Sequence, residues 1–340
     1  MPDDTRLMKR PKNPLFFPHR VGLPKAIVKP EIGVTVAFLI FFTLFSILSP
    51  KFFAQINFAA MGTIASQVGI IAVGATMLMI SGEFDLSVGS VFGMAAWIFG
   101  TLVNQGVDPI LVAIITLGCC TLMGLLNGMI TVKVGIPSFI TTLGTMMLWR
   151  GMLYFVTEGY PLHIVVTGYT KSVLNSLGGY IGETPVRVTV IWFTITTVIL
   201  AFILTRTRYG NWVYATGGNL AAARALGVNT DRVKLINFSL VGLLSGLSGT
   251  VNMARYLISQ PVLGTGFELE AIAATVVGGT SLFGGYGTII GTFIGTFLVA
   301  QISNGLILMG SPPFLYMALT GVIVILAVIF NTYVRKTARV

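Results

Sequence analysis

Long apolar stretches follow one another along this chain and are separated by short polar segments. A helix needs roughly twenty apolar residues to cross the hydrocarbon core of a bilayer, and the sequence offers about ten such stretches. The pattern predicts an all-α, polytopic membrane protein of about ten transmembrane helices. The predicted spans are 32–49, 57–80, 88–104, 109–131, 136–156, 188–205, 233–256, 268–283, 287–309 and 314–333.

The composition agrees with this pattern, because 54% of the residues are hydrophobic and only 9% are charged. The net charge of +10 comes mainly from basic residues beside the spans, and such residues orient a membrane protein by staying in the cytoplasm. Their placement predicts a cytoplasmic N-terminal tail (1–31), C-terminal tail (334–340) and polar loop (205–234) around a transmembrane domain (32–333). It leaves 157–187 as an external loop and favours membrane lipid, not nucleic acid, as the partner of the positive charge.

The polar loop 205–234 has the local signals of a short helix. Asn219 can accept a hydrogen bond as the N-cap, the alanines that follow have high helix propensity, and Gly227 can adopt the left-handed conformation that ends a helix. A short, alanine-lined helix has a backbone that another protein can approach closely. We therefore expect this helix to dock into the groove of a cytoplasmic partner and to transmit a push.

Acidic residues lie beside two of the apolar stretches. Ionised groups are costly in hydrocarbon, so they should face a cavity, a partner or the membrane boundary. Asp85 either caps the third span, a role for which Ser87 is the other candidate, or lies near a translocation path. Glu268 and Glu270 are expected at an outer membrane edge, where a carboxylate stabilises a helix N-terminus. Arg150, in the outer half of the fifth span, either extends to the membrane surface or anchors a polar group.

Forty glycines in a helical protein indicate close packing between helices. The run at 278–287 is rich enough in glycine to break a helix, and broken backbone at membrane depth must be buried in protein or line an aqueous path. Glycines on one helix face form ridges that let neighbouring backbones approach each other in lipid. The candidate ridges are Gly242 with Gly246, and Gly287 with Gly291 and Gly295.

Two short segments resemble each other and suggest an internal repeat. The segment 127–139 (NGMITVKVGIPSF) is echoed by 304–314 (NGLILMGSPPF), which pairs Asn127 with Asn304. The segments lie five predicted spans apart, so the halves of a five-plus-five repeat would cross the membrane in opposite directions, as in the inverted repeats of transporters. The alternative is chance similarity between glycine-rich apolar segments.

The sequence shows no means of converting energy within the chain. None of the lysines follows a glycine, so the sequence has no phosphate-binding GxxxxGK[ST] loop. His19 and His163 form no metal-ligand pair, and the adjacent Cys119 and Cys120 indicate neither a disulfide framework nor a metal cluster. A docking helix without a motor predicts that a separate subunit supplies the energy.

Four segments carry a resemblance that covers nearly the whole chain after residue 55. They are GEFDLSVGS (82–90), NG...GIPSFITTLGTMMLWRG (127–151), GGNLAAARALGVNTDRVK (217–234) and ELEAIAATVVGGTSLFGGYGTIIGT (268–292). These segments closely resemble the permease subunits of ribose-type monosaccharide ABC importers. The resemblance implies a coupling helix that docks into the ATP-binding subunit. It assigns this role to Gly218, Asn219, Ala222, Ala223, Arg224 and Gly227.

The resemblance further implies a ten-helix fold like that of vitamin B12 importers, in the plasma (inner) membrane of a prokaryote. Two permeases, identical or paralogous, would surround a central pathway, and an external solute-binding protein would deliver a monosaccharide or similar small polar solute. Cytoplasmic ATP-binding subunits would use ATP and Mg, while this chain would bind no cofactor or metal and catalyse no reaction. Many relatives have Glu where this chain has Ala221, so one contact to the ATPase is expected to be missing or supplied elsewhere. The candidates for lining or supporting the path are Asp85, Ser87, Asn127 and Asn304.

A secondary transporter or channel that uses an ion gradient is the alternative. In that case Glu83 or Asp85 would be the proton or cation site. A membrane enzyme would need a nucleophile, a metal site or an acid–base pair at membrane depth, and the sequence shows none. The identity of the solute does not follow from the sequence, because related permeases carry pentoses, hexoses, polyols, nucleosides or signalling furanones.

Overall fold

The structure is a computed structural model that describes residues 30–166 and 168–312, together with positions 315, 318, 319, 321, 322, 325 and 329. Helices that pack lengthwise against one another make up most of the described chain. In chain order the elements are α1 (Pro30–Leu48), a 3₁₀ turn (Pro50–Phe53), α2 (Gln55–Ile80), α3 (Val88–Asn104), α4 (Pro109–Met129), a π-helical turn (Ile130–Val134), α5 (Ser138–Thr157), β1 (Leu162–His163), α6 (Gly168–Gly178), α7 (Val188–Arg206), α8 (Arg208–Gly218), α9 (Leu220–Ala225), α10 (Thr230–Tyr256), β2 (Ile258–Ser259), α11 (Phe267–Val277) and α12 (Ile289–Leu308).

Seven of the described helices are long and apolar enough to cross a membrane. They are α1, α2, α4 with the π-helical turn that follows it, α5, α7, α10 and α12. α3 is a shorter apolar helix of 17 residues, and α11 has only 11. The prediction of a helical, multi-pass membrane protein is therefore confirmed.

The first seven predicted spans each begin and end within three residues of an observed helix. The eighth prediction, 268–283, is wrong at its end, because α11 stops at Val277. Gly279, Gly284 and Gly285 have positive φ angles of 90°, 77° and 74°, which glycine adopts without strain and which a helix cannot contain. The glycine-rich run is thus a turn, as its composition predicts.

The ninth span begins two residues later than predicted, at Ile289. The described positions of the tenth predicted span, 314–333, are all helical, and its other residues lie outside the described part of the chain. Most of the N-terminal tail (1–31) and the whole C-terminal tail (334–340) also lie outside it. The count of ten spans is therefore not decided by the described helices.

α2 and α10 lie at the centre of the bundle. Residues 68–80 of α2 are buried without interruption, and α10 packs along α2, α3 and α4. α1 packs on α12 at the edge and keeps a largely exposed surface. Because lipid covers the outside of such a bundle, the most apolar helices need not be the most buried ones.

The predicted glycine ridges bring helix backbones into contact. A Cβ on Gly242 of α10 would lie 3.0 Å from the Cα of Gly124 in α4. Gly295 of α12 similarly faces the backbone of α11, where a Cβ would lie 3.0 Å from the nitrogen of Gly278. Gly287 is not part of this ridge, because it precedes the first residue of α12. The prediction is therefore confirmed for the packing of α10 and α12 and wrong for Gly287.

Candidate functional site

The polar loop forms two short helices, and the second of them, α9, is the predicted docking helix. Asn219 precedes α9 in an extended conformation, and its Oδ1 accepts a hydrogen bond from the backbone N–H of Ala222 at 3.0 Å. This is the N-cap that the sequence predicts, and it satisfies an amide that a helix start otherwise leaves free. The N-terminal end of α9 is therefore capped by the residue that directly precedes it.

Gly227 closes the other end of α9 in the left-handed conformation, with a φ of 84°. Its N–H donates to the carbonyl oxygen of Arg224 at 3.0 Å, and the N–H of Val228 donates to the carbonyl oxygen of Ala223 at 3.0 Å. These paired bonds define a Schellman motif, in which a residue with a Cβ would be strained at the glycine position. The predicted role of Gly227 at the helix end is confirmed.

α9 rests on the bundle through one buried residue, Ala223, which is 2% exposed. Gly218, Asn219 and Ala222 are exposed, and Leu226 at the tip is 84% exposed. On this exposed helix, Leu226 is therefore a candidate apolar contact for a partner protein. Sequence reasoning missed Leu226, although a leucine in the last turn of an alanine-rich helix was the signal.

Arg224 ties α9 to the start of α10. Its Nε donates to Oγ1 of Thr230 at 2.9 Å, and its Nη2 donates to Oδ1 of Asp231 at 2.6 Å. The Arg224 and Asp231 side chains remain 56% and 51% exposed. Arg224 therefore braces the docking helix and still offers part of its guanidinium to a partner.

α8 connects the docking helix to the bundle, and the sequence analysis did not predict it. The Tyr209 hydroxyl donates to Oδ1 of Asn237 in α10 at 2.7 Å, and the Tyr214 hydroxyl donates to the carbonyl oxygen of Gly287 at 2.7 Å. These bonds attach α8 to α10 and to the segment just before α12. The signal in the sequence was Thr207, whose side chain caps the start of α8.

Three backbone segments meet at the end of α8 with no room for side chains. A Cβ on Gly217 would overlap the carbonyl oxygen of Ile80, the last residue of α2. The N–H of Gly285 donates to that same carbonyl oxygen at 2.8 Å. A Cβ on Gly285 would lie 2.7 Å from the Cα of Gly218. We call this contact the glycine junction; it joins α2, α8 and the glycine-rich turn main chain to main chain.

Three of the four predicted path residues form one polar cluster near the glycine junction. Oδ1 of Asp85 accepts hydrogen bonds from the N–H and the hydroxyl of Ser87 at 2.8 and 2.6 Å, and Oδ2 accepts one from Nδ2 of Asn127 at 3.1 Å. Burial raises the pKa of the Asp85 carboxyl above its ordinary value, while the hydrogen bonds from Ser87 and Asn127 oppose that rise. The cluster links the turn before α3 to the end of α4.

The polar cluster is enclosed within this chain. Asp85 is 8% exposed, and Ser87 and Asn127 are 0% exposed. Ser87 is the N-cap residue of α3, but its side chain makes no capping bond in the described structure. Asn304 lies apart from the cluster, at the other end of the bundle, where its Nδ2 donates to Oδ1 of Asn57 at 2.5 Å. The structure therefore unites three of these residues and separates the fourth.

Glu83 forms an ion pair that the sequence analysis did not predict. Nζ of Lys234 lies 2.5 Å from Oε1 of Glu83, and the two side chains are 17% and 12% exposed. The pair joins the turn after α2 to the start of α10. Because its carboxylate is held by an internal cation, Glu83 is poorly suited to bind a transported ion. No group of His, Cys, Asp or Glu side chains among the described residues could hold a metal ion.

Arg150 anchors the irregular segment between α10 and α11. Its Nη1 donates to the carbonyl oxygens of Pro261 and Leu263 at 2.8 and 2.7 Å. The sequence left open whether Arg150 extends to the membrane surface or anchors a polar group, and the structure supports the second interpretation. Glu268 and Glu270 lie in the first turn of α11, as predicted for carboxylates at a helix N-terminus.

This arrangement defines a class of protein: a multi-pass membrane protein whose exposed, self-capped helix is connected through α8 to the membrane-spanning helices. The family of permease components of branched-chain amino acid transport systems matches residues 57–328. Because this match covers most of the chain, the protein belongs to this family of transport-system permeases. No solved structure matches the chain significantly.

Curated relatives are similar over most of their length. The chain is 37% identical to the ribose import permease protein RbsC of Escherichia coli (strain K12) over 299 residues, which are 87% of this chain and 92% of the relative. It is 35% identical to RbsC of Bacillus subtilis (strain 168) over 89% of this chain and 93% of the relative. It is 33% identical to the autoinducer 2 import system permease protein LsrC of Photorhabdus luminescens over 90% of each chain. The resemblance found in the sequence is confirmed, and with it the prediction of a transporter subunit and not an enzyme.

Proposed function

We propose that this chain is the transmembrane permease subunit of an ATP-binding-cassette importer and forms the pathway for a monosaccharide or similar small polar solute. Its similarity to ribose and autoinducer 2 import permeases supports this assignment. Separate cytoplasmic subunits use ATP and Mg, and this chain binds no cofactor of its own. It spans the inner membrane of a prokaryote, with both termini in the cytoplasm.

The permease works in a larger assembly. A second permease copy, identical or paralogous, encloses the pathway with this chain, and an external solute-binding protein docks at the end of the bundle opposite α9. A ten-helix fold like that of vitamin B12 importers, with a five-plus-five inverted repeat, is consistent with the positions of Asn127 and Asn304. The two asparagines lie at opposite ends of the bundle, as expected when two related halves cross the membrane in opposite directions.

One observation carries the proposal: α9 is exposed, capped by its own flanking residues and joined to the bundle through α8. Its exposed surface suits a groove in an ATP-binding subunit, with the Leu226 side chain as an apolar contact. The exposed candidates for this contact are Gly218, Asn219, Ala222 and Arg224, while Ala223 and Gly227 keep the helix in place and in shape.

Closure of the ATP-binding subunits displaces α9 and carries α8 with it. α8 is attached to α10 through Tyr209, and it also acts on the bundle through Tyr214 to the segment before α12 and through Gly217 to the end of α2. A displaced α8 therefore moves the ends of α2 and α12 together, and this motion switches access to the path from one side of the membrane to the other. The polar cluster around Asp85 keeps α3 and α4 joined during the motion.

The test removes the docking contact and keeps the fold. Leu226→Asn changes the tip of α9, and Val134→Asn is the matched control, because Val134 is 68% exposed at the same end of the bundle but lies outside α9. Uptake is measured in proteoliposomes that contain the ATP-binding subunits and the solute-binding protein. Leu226→Asn is expected to lower uptake about tenfold or more, as for loss of an interface hot spot, and Val134→Asn to leave it unchanged.

Arg224→Glu is a second, harsher variant. It places a carboxylate beside Asp231, 2.6 Å from the present guanidinium, and so it loses the brace to α10 as well as any contact to the partner. Uptake at the normal level by both Leu226→Asn and Arg224→Glu would remove α9 from the mechanism.

The same proteoliposomes separate the importer from a transporter that uses an ion gradient. Uptake by the importer requires the ATP-binding subunits and persists when the ion gradient is collapsed. Accumulation of solute by the chain alone, or its loss on collapse of the gradient, would contradict the proposal and favour an ion-coupled carrier.

A further inference from the structure

A cavity of about 360 Å³ opens at the end of the bundle opposite α9, between α6 and the end of α10. Lys171 and Asn175 line it from α6, Arg255 lines it from α10, and Arg187 lines it from the position before α7. This volume is enough for a phosphate group with an attached glycerol. The coupling mechanism uses none of these residues.

The cavity concentrates positive charge in fixed positions. Lys171, Arg187 and Arg255 all contribute side chains to its wall. The guanidinium carbon of Arg187 lies 3.6 Å from the centre of the Tyr180 ring, and that of Arg255 lies 4.3 Å from the centre of the Tyr256 ring. Stacking on aromatic rings holds a guanidinium in place without neutralising it. Each guanidinium thus keeps its full charge at the wall of the cavity, where it can attract an anion.

No carboxylate in the described part of the chain neutralises these cations. The ion pairs found there lie at the α9 end of the bundle. Glu183, the acidic residue nearest to Arg187 along the sequence, is exposed and takes part in none of them. Arg187 and Arg255 are close enough to repel each other electrostatically. A bound anion would relieve this repulsion.

An exposed apolar face begins directly below the cavity. Ile191, Ile195, Val198 and Phe202 follow Arg187 along α7 at helical spacing and therefore share its side of the helix. These four side chains are between 43% and 62% exposed. The tyrosines beside the cavity are typical of the headgroup level of a membrane. The charged cavity thus lies where a lipid headgroup would be, above a surface suited to acyl chains.

We propose that this cavity binds the phosphate of an anionic phospholipid whose acyl chains lie along the exposed face of α7. The phosphate accepts hydrogen bonds from Arg255 and Arg187, and the ammonium group of Lys171 completes the charge balance. A neutral sugar offers no charge to match three cations, so the cavity is separate from the solute path. The inference depends on the proposed function in one respect. Because the proposed function places α9 in the cytoplasm, the lipid belongs to the outer leaflet.

The experiment measures lipid retention and not transport, so failure of the lipid site and failure of the importer model are distinguishable. The complete importer is purified in detergent and mixed with palmitoyl-oleoyl phosphatidylglycerol or with the matching phosphatidylethanolamine. Native mass spectrometry then counts the lipids that stay bound. We expect preferential retention of phosphatidylglycerol by the unaltered protein, with no displacement by millimolar inorganic phosphate.

Variants then assign the retained lipid to the cavity. At about 1 kcal/mol for each basic side chain near a lipid surface, Lys171→Gln should lower phosphatidylglycerol affinity about fivefold, and Arg187→Gln with Arg255→Gln about thirtyfold. Lys171 is exposed, so its substitution should not disturb folding. Lys51→Gln is the matched control, because Lys51 is an exposed cation at the same end of the bundle outside the cavity.

Three results would overturn the proposal. Equal retention by the unaltered protein and by Lys171→Gln would remove the lipid from the cavity. Displacement of the lipid by inorganic phosphate would identify a site for free anions. If the variants of Lys171, Arg187 and Arg255 retain lipid like the unaltered protein but no longer respond to the solute-binding protein, these cations serve protein docking.

Discussion

The tip and the base of the α9 end are stabilised by opposite means. At the tip, α9 takes its caps from Asn219 and from Gly227, so its shape depends on residues close in sequence. At the base, the glycine junction and the Glu83–Lys234 pair join segments that are far apart in sequence. The tip can therefore change without unfolding the protein, whereas a change at the base disturbs several helices at once.

The tip and the base each contain one ion pair, so the two regions can be compared through the same kind of interaction. Glu83–Lys234 and Arg224–Asp231 have nearly equal lengths, 2.5 and 2.6 Å. In the first pair Glu83 is 12% and Lys234 is 17% exposed, and in the second Arg224 is 56% and Asp231 is 51% exposed. Solvent screens the second pair, so removing one of its partners should lower the free energy of unfolding much less than removing one partner of the first pair.

The largest effect is expected from Gly217→Ala at the base. The added Cβ would overlap the carbonyl oxygen of Ile80, and neither backbone can move without shifting α2 or α8. We expect a loss of at least about 3 kcal/mol in stability, at the upper end for overpacking. The measurement is the midpoint of thermal unfolding of the protein purified in detergent.

Gly118→Ala is the matched control for the glycine junction. Gly118 lies in α4, and a Cβ there would meet nothing within 4 Å. Alanine also has the higher helix propensity, so the unfolding midpoint should be unchanged or slightly raised. Equal midpoints for Gly217→Ala and Gly118→Ala would show that the junction is not close-packed.

The next effect compares the two ion pairs directly. Glu83→Gln leaves the ammonium of Lys234 mostly buried without its partner, which should cost about 3 kcal/mol. Asp231→Asn removes the partner of a half-exposed Arg224 and should cost less than about 1 kcal/mol. Chemical denaturation of both variants measures the difference. If Asp231→Asn proves as destabilising as Glu83→Gln, burial does not distinguish the base from the tip.

The smallest effect on stability is expected from Asn219→Ala at the tip. Loss of this N-cap should cost about 1 kcal/mol within α9 and leave the unfolding midpoint of the bundle unchanged. Uptake coupled to ATP hydrolysis should nevertheless fall by up to about fivefold, because a loss of about 1 kcal/mol lowers the equilibrium constant for ordering α9 about fivefold. The readout is solute taken up for each ATP hydrolysed.

Asn229→Ala removes the same kind of N-cap from another helix, at the start of α10. Asn229 caps α10 by accepting a hydrogen bond from the N–H of Arg232 at 3.0 Å. Its substitution should lower the unfolding midpoint slightly and leave coupling intact, the reverse of Asn219→Ala. A coupling defect of equal size in both variants would mean that helix capping in general, and not the docking helix, controls uptake.

Local features of this protein were accessible from its sequence. The ends of most spans follow from a change of apolar to polar residues within a few positions, and the caps of α9 depend on Asn219 and Gly227 alone. The sequence also indicated the broken backbone at 278–287, although the end of α11 was placed too late because apolar residues continue into the run. Each of these features depends on neighbours along the chain.

Features that depend on distant residues were not accessible. Lys234 lies 151 positions from its partner Glu83, and no local pattern links them. The sequence analysis paired Asn304 with Asn127 through the suggested repeat and named both as path candidates, whereas the fold brings Asn304 to Asn57 at the other end of the bundle. α8 was missed because its attachment to the bundle depends on Tyr209 and Tyr214, whose acceptors are distant in sequence, in α10 and in the segment before α12.

The capping of α9 has a mechanical consequence. The hydrogen bonds at both of its ends are made within residues 219–228, so tilting the helix as a unit breaks none of them. Its buried contact with the bundle is the methyl group of Ala223, and Arg224 attaches it to the start of α10, so displacement of α9 is passed on to its neighbours. A force that a partner applies at Leu226 therefore moves α9 as a rigid unit and does not unwind it.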